Sequence, residues 1–285
     1  MGQAVLEALS TLPSRTNLFS VSHSKKLGPV PKRWVVKLGT GILSDSRGRI
    51  DPAQIEQLAA QVIELRRRGH EMLVVSSGAV GCGMSLLGLT KRPTQMAELQ
   101  ACAALGQPRL MRFYDAAFGR NGVRVAQVLL TYFDLDSRSL YGNIQRSVEH
   151  LLAHKGVVPI FNENDVVSYD ELVGARFGDN DQLSAHVAIL ARAERLIILS
   201  NIRGLATNPD GTGRLIRDVR GIDAKIEKLA GGTQSQTSVG GMISKFKAAR
   251  LVNAAGIPMQ IANGRQKNVL VSICHGEAVG TIFHP

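Results

Sequence analysis

Two lysines and two acid-and-amide clusters are the residues of this chain best suited to chemistry. Lys37 stands beside Gly39 and Gly41 in KLGTG, and Lys245 follows Gly240-Gly241 in the predicted first turn of a helix. Glycine lets the backbone approach a ligand closely, and a helix N-terminus attracts anions while disfavouring a cation. A lysine held there makes most sense facing phosphate. Between the two lysines lies Val157–His186, an apolar strand that opens into Asn162, Glu163, Asn164 and Asp165 and ends on Asp179, Asn180 and Asp181. Buried clusters of this kind need polar partners. Asp179 reads as an N-cap with Gln182 completing a capping box, which leaves Asp181 spare. Set between Lys37 and Lys245, Asp181 could hold both ammonium groups in place.

No histidine stands in these motifs, and Cys82 has no basic partner in its own. A carboxylate acceptor, with a solution pKa of about 4.3, is a nucleophile at neutral pH without a general base. The chemistry these residues suit is phosphoryl transfer to a carboxylate, resting on positioning and charge stabilisation. Neither GxxxxGK[ST] nor GxGxxG is present, so separate lysines and glycine turns would have to hold the phosphates.

The elements that must position these groups alternate between strand and helix. Trp34–Val36, Met72–Val75, Val123–Leu130, Val157–Phe161, Leu196–Leu199 and Met259–Ile261 are apolar runs of strand length, with a last strand near Gly280–Phe283. Asp51-Pro52 opens a helix with Ile55, Leu58, Ala59, Val62 and Leu65 on one face, stopped at Gly69. Further helices are expected up to about Phe118, over Ile144–His154 and Gln182–Ala191, near Ile222–Leu229, and over Met242–Ala255 and Val269–Cys274, with Thr131–Asn143 a polar stretch. Continuous apolar strands between amphipathic helices imply an α/β fold, a mostly parallel central sheet covered on both faces. Lys37-Gly39, Ser77-Gly78, Asn162–Asp165 and Ser200-Asn201 each fall just past a strand's carboxyl end, the edge where ligands of open α/β folds bind.

The 285 residues suffice for one large α/β domain or two lobes sharing a sheet, and 44% hydrophobic with 20% charged residues reads as a globular protein. No apolar run approaches a membrane span. The net charge of +11 is scattered, and its densest groups, Arg66-Arg67-Arg68 and Lys25-Lys26, are short. Without an aromatic-studded basic stripe, this reads as a solvated basic surface and not a nucleic-acid site. The three cysteines, Cys82, Cys102 and Cys274, are far apart and outside any CxxC pattern, which suits a reducing cytosol and small core residues. Residues 1–31 are Ser-rich with Glu7 as the sole acid, a faint likeness to a transit peptide; lacking a continuous apolar run, they read as a loosely ordered extension.

VVKLGTG (35–41), SSGAVGCG (76–83), ALGQ (104–107), LLTYFDLDSRSLYGN (129–143), PIFNENDVV (159–167), FGDNDQLSA (177–185) and GGMISKFKAA (240–249) resemble, in order, the blocks of the glutamate 5-kinases of the amino-acid kinase superfamily. The likeness runs from about Val35 to Phe283. It implies an αβα sandwich, the amino-acid kinase fold, over 32–285. It also implies MgATP-dependent phosphorylation of the γ-carboxylate of L-glutamate to γ-glutamyl phosphate, the first committed step of proline biosynthesis, in the cytoplasm. By match of motif, Lys37 and Lys245 would stabilise the transferring phosphoryl group and Asp181 would organise them. Ser77, Asp165 and Asn180 would bind glutamate, with Asn162 close by. Lys37, Gly39, Ser200, Asn201, Val239, Gly240, Gly241, Met242 and Lys245 would line the nucleotide, whose phosphates would carry Mg2+ with no protein metal site. Homo-oligomers inhibited by proline are common in the family.

The chain departs from the family pattern in Ser200-Asn201, where Thr-Asp is usual, and in Ser238-Val239, where Gly-Thr is usual before Gly-Gly-Met. It stops at Pro285, which suggests a kinase domain without the C-terminal PUA domain of many bacterial members. Two other readings stand beside this one. Another amino-acid kinase, acting on N-acetylglutamate or aspartate, is one, but the amide-and-acid cluster with Asn180 suits the free ammonium of glutamate better than an acylated nitrogen. A non-catalytic binding protein, its nucleotide site lost at Asn201 and Val239, sits poorly with the presence of Lys37, Asp181 and Lys245.

Overall fold

The computed structural model describes residues 32–45, 48–168, 180–230 and 241–285. The expectations for residues 1–31, for the Asp179 cap and for the glycine-rich loop through Val239 and Gly240 fall outside them.

Among the described residues, eight strands form one sheet in the order β3-β4-β2-β1-β5-β7-β8-β6. These are β1 Arg33–Leu38, β2 Glu71–Ser76, β3 Arg124–Leu130, β4 Val157–Glu163, β5 Arg195–Ser200, β6 Asp218–Val219, β7 Met259–Asn263 and β8 Thr281–Phe283. All pairs are parallel except β7 with β8, which is antiparallel. The helices are α1 Thr40–Leu43, α2 Pro52–Arg67, α3 Ala79–Leu86, α4 Met96–Gly119, α5 Tyr132–Asp136, α6 Arg138–Ala153, α7 Asn180–Leu190, α8 Ala224–Lys228, α9 Met242–Ala254 and α10 Val269–Cys274. Among the described residues no helix is long and apolar enough to cross a membrane.

The expected αβα sandwich is what forms. Successive strand residues point to opposite faces. Trp34, Val36, Met72, Val74, Val158, Ile160, Ile197 and Leu199 pack with Leu58 and Val62 of α2 and Leu110 and Tyr114 of α4. The alternate residues Val35, Leu73, Val75, Phe161, Leu196, Ile198 and Met259 pack with Leu183 and Val187 of α7 and Phe246 and Val252 of α9. With both faces covered, the strands read as unbroken apolar runs, and a period of two cannot be seen in them. Asp51 caps α2 by accepting from the backbone N–H groups of Ala53 and Gln54 at 3.1 and 3.3 Å, ahead of Pro52.

The structure corrects the polar stretch before Ile144. Thr131 and Asp134 form a reciprocal capping box that starts α5, and α6 already begins at Arg138. Among its residues only Val148 is fully buried, and Gln145 donates to the Leu190 carbonyl at 2.8 Å, so the helix carries few apolar signals. The two-residue β6 was also not foreseen.

Helices α3 and α4 cross almost backbone to backbone. A Cβ on Gly83 would lie 1.8 Å from the Cys102 carbonyl oxygen, and one on Gly106 would lie 1.8 Å from that of Ala79. The glycines of GCG and ALGQ therefore set how closely α3, and the Ser77-Gly78 turn before it, approach α4. Gly106→Ala is expected to force the helices apart, at a cost of about 3 kcal/mol or more and a fall in Tm of roughly 5–10 °C. Gly119→Ala, in the same helix with open space around it, should leave Tm level or slightly raised. Equal melting temperatures for the two variants would show that the crossing is looser than described.

Candidate active site

The carboxyl ends of β1, β2, β4 and β5 open on a cleft of about 1050 Å³. Lys37, Gly39, Ser77, Asn162, Asp165, Asn180, Ser200, Asn201, Gly241, Met242 and Lys245 all line it, and Asp181 lies just beneath. Val239 and Gly240 are outside the described residues.

The floor is built by three elements. Val35 points to the α7 and α9 side of the sheet, so Lys37, two residues on, does too. Asp181 is in the first turn of α7, where the helix dipole favours an acid, and Lys245 is in the first turn of α9. Lys37 Nζ lies 2.7 Å from Asp181 Oδ1, and Lys245 Nζ lies 3.0 Å from Asp181 Oδ2. All three are buried, with Asp181 at 0% exposure. Burial pushes the Asp181 carboxyl up, but the Lys37 and Lys245 ammonium groups outweigh it and hold it below the usual carboxylate range. One carboxylate thus bridges the two ammonium groups and fixes both at the cleft floor.

The β2 and β4 side is a network of amides. Asn180 Nδ2 is 2.8 Å from the Ser76 carbonyl, 3.0 Å from Asn162 Oδ1 and 3.1 Å from Ser77 Oγ. Asn162 Nδ2 donates to Gln107 Oε1 at 2.8 Å, and Gln107 Nε2 donates to Gln127 Oε1 at 2.9 Å. Asn180 is 6% exposed, yet its Oδ1 has no hydrogen-bond partner among the described residues. A buried acceptor left open at a cleft wall is suited to a ligand donor. Gly78, at φ 106°, turns the chain between Ser77 and α3, a backbone angle that favours glycine. After β4, Asn164 N–H donates to the Leu130 carbonyl, and the Ser168 N–H and Oγ donate back to the Asn164 carbonyl, which fixes the turn carrying Asp165.

On the β5 side, Ser200 Oγ donates to Asn201 Oδ1 at 3.3 Å, and the Asn201 carboxamide lies against Gly41. Motif reading missed Arg265 here. Its Nη2 donates to the Ser44 and Gly41 carbonyls at 2.6 and 3.1 Å, pinning the C-terminal end of α1. Its turn is held by the Gly264 N–H on the Ser200 carbonyl at 3.0 Å and by Gln54 Nε2 on the Gly264 carbonyl at 2.9 Å. Arg265 stands just past β7, so extending the strand-end argument by one strand would have found it. Gln107 of α4, and Arg92 in the loop between α3 and α4, were also passed over.

No histidine lines the cleft among the described residues. His186 is packed against Tyr132 on α7, and burial lowers its pKa to about 4, so it stays neutral. Burial pushes the Cys82 thiol up to about 11, with Arg109 pulling weakly the other way, which makes it a core residue and not a nucleophile. The arginine run is engaged by its own chain: Arg66 donates to the Lys155 carbonyl, Arg67 to Asn121 Oδ1 and Arg68 to Glu64.

Residues 32–263 match the model of the Amino acid kinase family. Curated relatives include the glutamate 5-kinases of Dehalococcoides mccartyi, 43% identical over 89% of this chain and 69% of the relative, and of Anaeromyxobacter dehalogenans, 46% identical over 89% and 67%. Among solved structures, a UMP kinase from Bacillus anthracis superposes with a TM-score of 0.59 at 18% identity, covering 89% of this chain and 96% of that one. A carbamate kinase from Giardia lamblia bound to AMP-PNP gives 0.60 at 16%, covering 90% and 99%. At such identities the two structures speak for the fold alone, whereas the family match and the relatives reach the level of the chain itself. The protein belongs to the amino acid kinase family, among its glutamate 5-kinases.

Proposed function

We propose that the cleft transfers the γ-phosphoryl group of ATP to the γ-carboxylate of L-glutamate, giving γ-glutamyl phosphate and ADP, the first step of proline biosynthesis. The observation that carries this reading is the buried Asp181 carboxylate bridging Lys37 and Lys245 at the cleft floor. Held at fixed positions by a shared carboxylate, the two ammonium groups can stabilise charge that shifts between three phosphoryl oxygens and the leaving oxygen. A γ-carboxylate oxygen attacks phosphorus as the bond to the β-phosphate oxygen breaks; no proton is transferred, which suits a cleft with no histidine among its described lining.

The residues present fit a triphosphate. Gly39, Gly41 and Gly241 line the cleft without side chains beside Lys37 and Lys245, and Ser200, Asn201 and Met242 extend the wall beyond them. Among the described residues there is no cluster of three or more His, Cys, Asp or Glu able to hold a metal. Mg2+ would be held through phosphate oxygens, where it would neutralise charge on the β- and γ-phosphates. Asn201 places an amide where an acid is usual, which leaves this wall without that negative charge.

At the other end, Asp165 and the open Oδ1 of Asn180 offer an anion and an acceptor to the acceptor's ammonium group, with Asn162 and Ser77 holding Asn180 in place. ADP release should therefore depend on glutamate, with poor use of N-acetylglutamate, which has no ammonium, and of aspartate, whose side-chain carboxylate falls one methylene short of the lysines. Asp165→Ala should raise the KM for glutamate by about 10- to 100-fold, the scale of losing one charge-assisted hydrogen bond, with kcat and the KM for MgATP changed far less. An unchanged glutamate dependence would remove Asp165 from acceptor binding, and turnover with all acceptors alike would contradict the glutamate reading.

A further inference from the structure

Glutamate bound with its γ-carboxylate at the lysines also brings an α-carboxylate into the cleft, an anion for which a cationic side chain is a well-suited partner. The positively charged residues lining the cleft, among those described, are Lys37, Lys245, Arg265 and Arg92. Lys37 and Lys245 are bound to Asp181 on the floor. Arg265 is bound to the carbonyls of Gly41 and Ser44, in α1 and at its C-terminal end. Arg92 remains, and it is on the acceptor side: its loop joins α3, which starts at the Ser77-Gly78 turn, to α4, which carries Gln107. Gln100 Nε2 of α4 donates to the Ser168 carbonyl at 3.4 Å, tying this helix to the turn that holds Asp165.

We propose that Arg92 binds the α-carboxylate of the acceptor and so selects an α-amino acid over an acceptor that has the amine alone. This rests on the glutamate reading of the site. The adjacent charges of the ligand, an ammonium and a carboxylate on one carbon, meet adjacent charges of the opposite sign on Asp165 and Arg92. A guanidinium suits the task because it stays charged and its fork of N–H donors matches a carboxylate. Pro93 restricts the Arg92 backbone to extended angles, which limits where the side chain can reach. Desolvation lowers the Arg92 pKa on balance, with the Asp165 carboxylate near enough to pull the other way.

The test compares glutamate with 4-aminobutyrate, which is glutamate without the α-carboxylate, and glutarate, which lacks the ammonium. ADP release gives KM for glutamate and the inhibition constants of the other two, in wild type, Arg92→Ala and Arg92→Lys. Arg92→Ala should raise the KM for glutamate and the inhibition constant of glutarate by about 10- to 100-fold. It should leave 4-aminobutyrate within threefold and kcat nearly unchanged, and Arg92→Lys should restore part of the loss. An unchanged KM for glutamate would overturn the proposal. So would equal weakening of all three ligands, which would mean that Arg92 only shapes the loop. Absence of glutamate-dependent turnover in the wild type is a different failure, one that strikes the acceptor reading itself and takes this inference with it.

Discussion

Lys245→Ala is expected to lower kcat by about 10²- to 10³-fold while the KM for glutamate stays within a few-fold of wild type. That is the scale of removing one fixed donor from developing charge in a transition state. The expectation follows from where Lys245 sits. Its ammonium is 3.0 Å from Asp181 Oδ2 at the cleft floor, whereas the acceptor groups Asp165 and Asn180 belong to other elements. Removing it leaves Lys37 on Asp181 Oδ1 at 2.7 Å, so the carboxylate keeps a cation partner and the fold should survive. Steady-state kinetics with MgATP and glutamate varied in turn check both halves. A kcat near wild type would take Lys245 out of the transfer, and a large rise in KM for glutamate at constant kcat would move it to acceptor binding.

Asp181→Asn should cost more in stability. The two lysines facing Asp181 have side chains only 8% and 5% exposed, and the amide would deprive both buried ammonium groups of the counter-charge they share. Breaking a buried ion pair from one side costs about 3–5 kcal/mol, and turnover should fall with it because neither lysine keeps its position. The pH dependence separates this from a general weakening. The folded-state pKa of Asp181 is below the unfolded carboxyl's, about 3.9, so its stabilisation is complete above that value and is lost as pH falls through the folded pKa. The difference in unfolding free energy between wild type and Asp181→Asn should thus be constant near neutral pH and shrink below about pH 4. Denaturant unfolding at a series of pH values measures it. A difference that stayed the same at low pH would mean that the carboxylate is not stabilised by its lysines.

The sheet and the site were legible in the sequence for one reason. Parallel strands buried on both faces are continuous apolar runs, and parallel topology puts their carboxyl ends on one edge. Lys37, Ser77, Asn162 and Ser200, scattered along the chain, thereby become neighbours. The meeting of Lys37, Asp181 and Lys245 was reachable because Lys37 ends an apolar strand and Lys245 stands beside a helix start, each a charge placed against local preference, while Asp181 is an acid to spare beside another helix start. Arg265 and Gln107 gave no such sign. Arg265 acts through backbone carbonyls that no motif records, and Gln107 sits in a helix where a buried amide looks like any other glutamine. The start of α6 was hidden because that helix fully buries only Val148 and the cap before it is Thr131 with Asp134, without the usual Glu or Gln. Gly83 and Gly106 lie in blocks that look catalytic; the structure shows that they let two helices touch.

The most direct test of phosphoryl transfer to a side-chain carboxylate is to trap the product. Wild-type protein with MgATP, L-glutamate and hydroxylamine should form γ-glutamyl hydroxamate in step with ADP, and Lys245→Ala should lose both together. ADP release without hydroxamate would mean that water or another group accepts the phosphoryl, and folded wild-type protein yielding neither product would contradict the kinase reading of the Lys37, Asp181 and Lys245 floor.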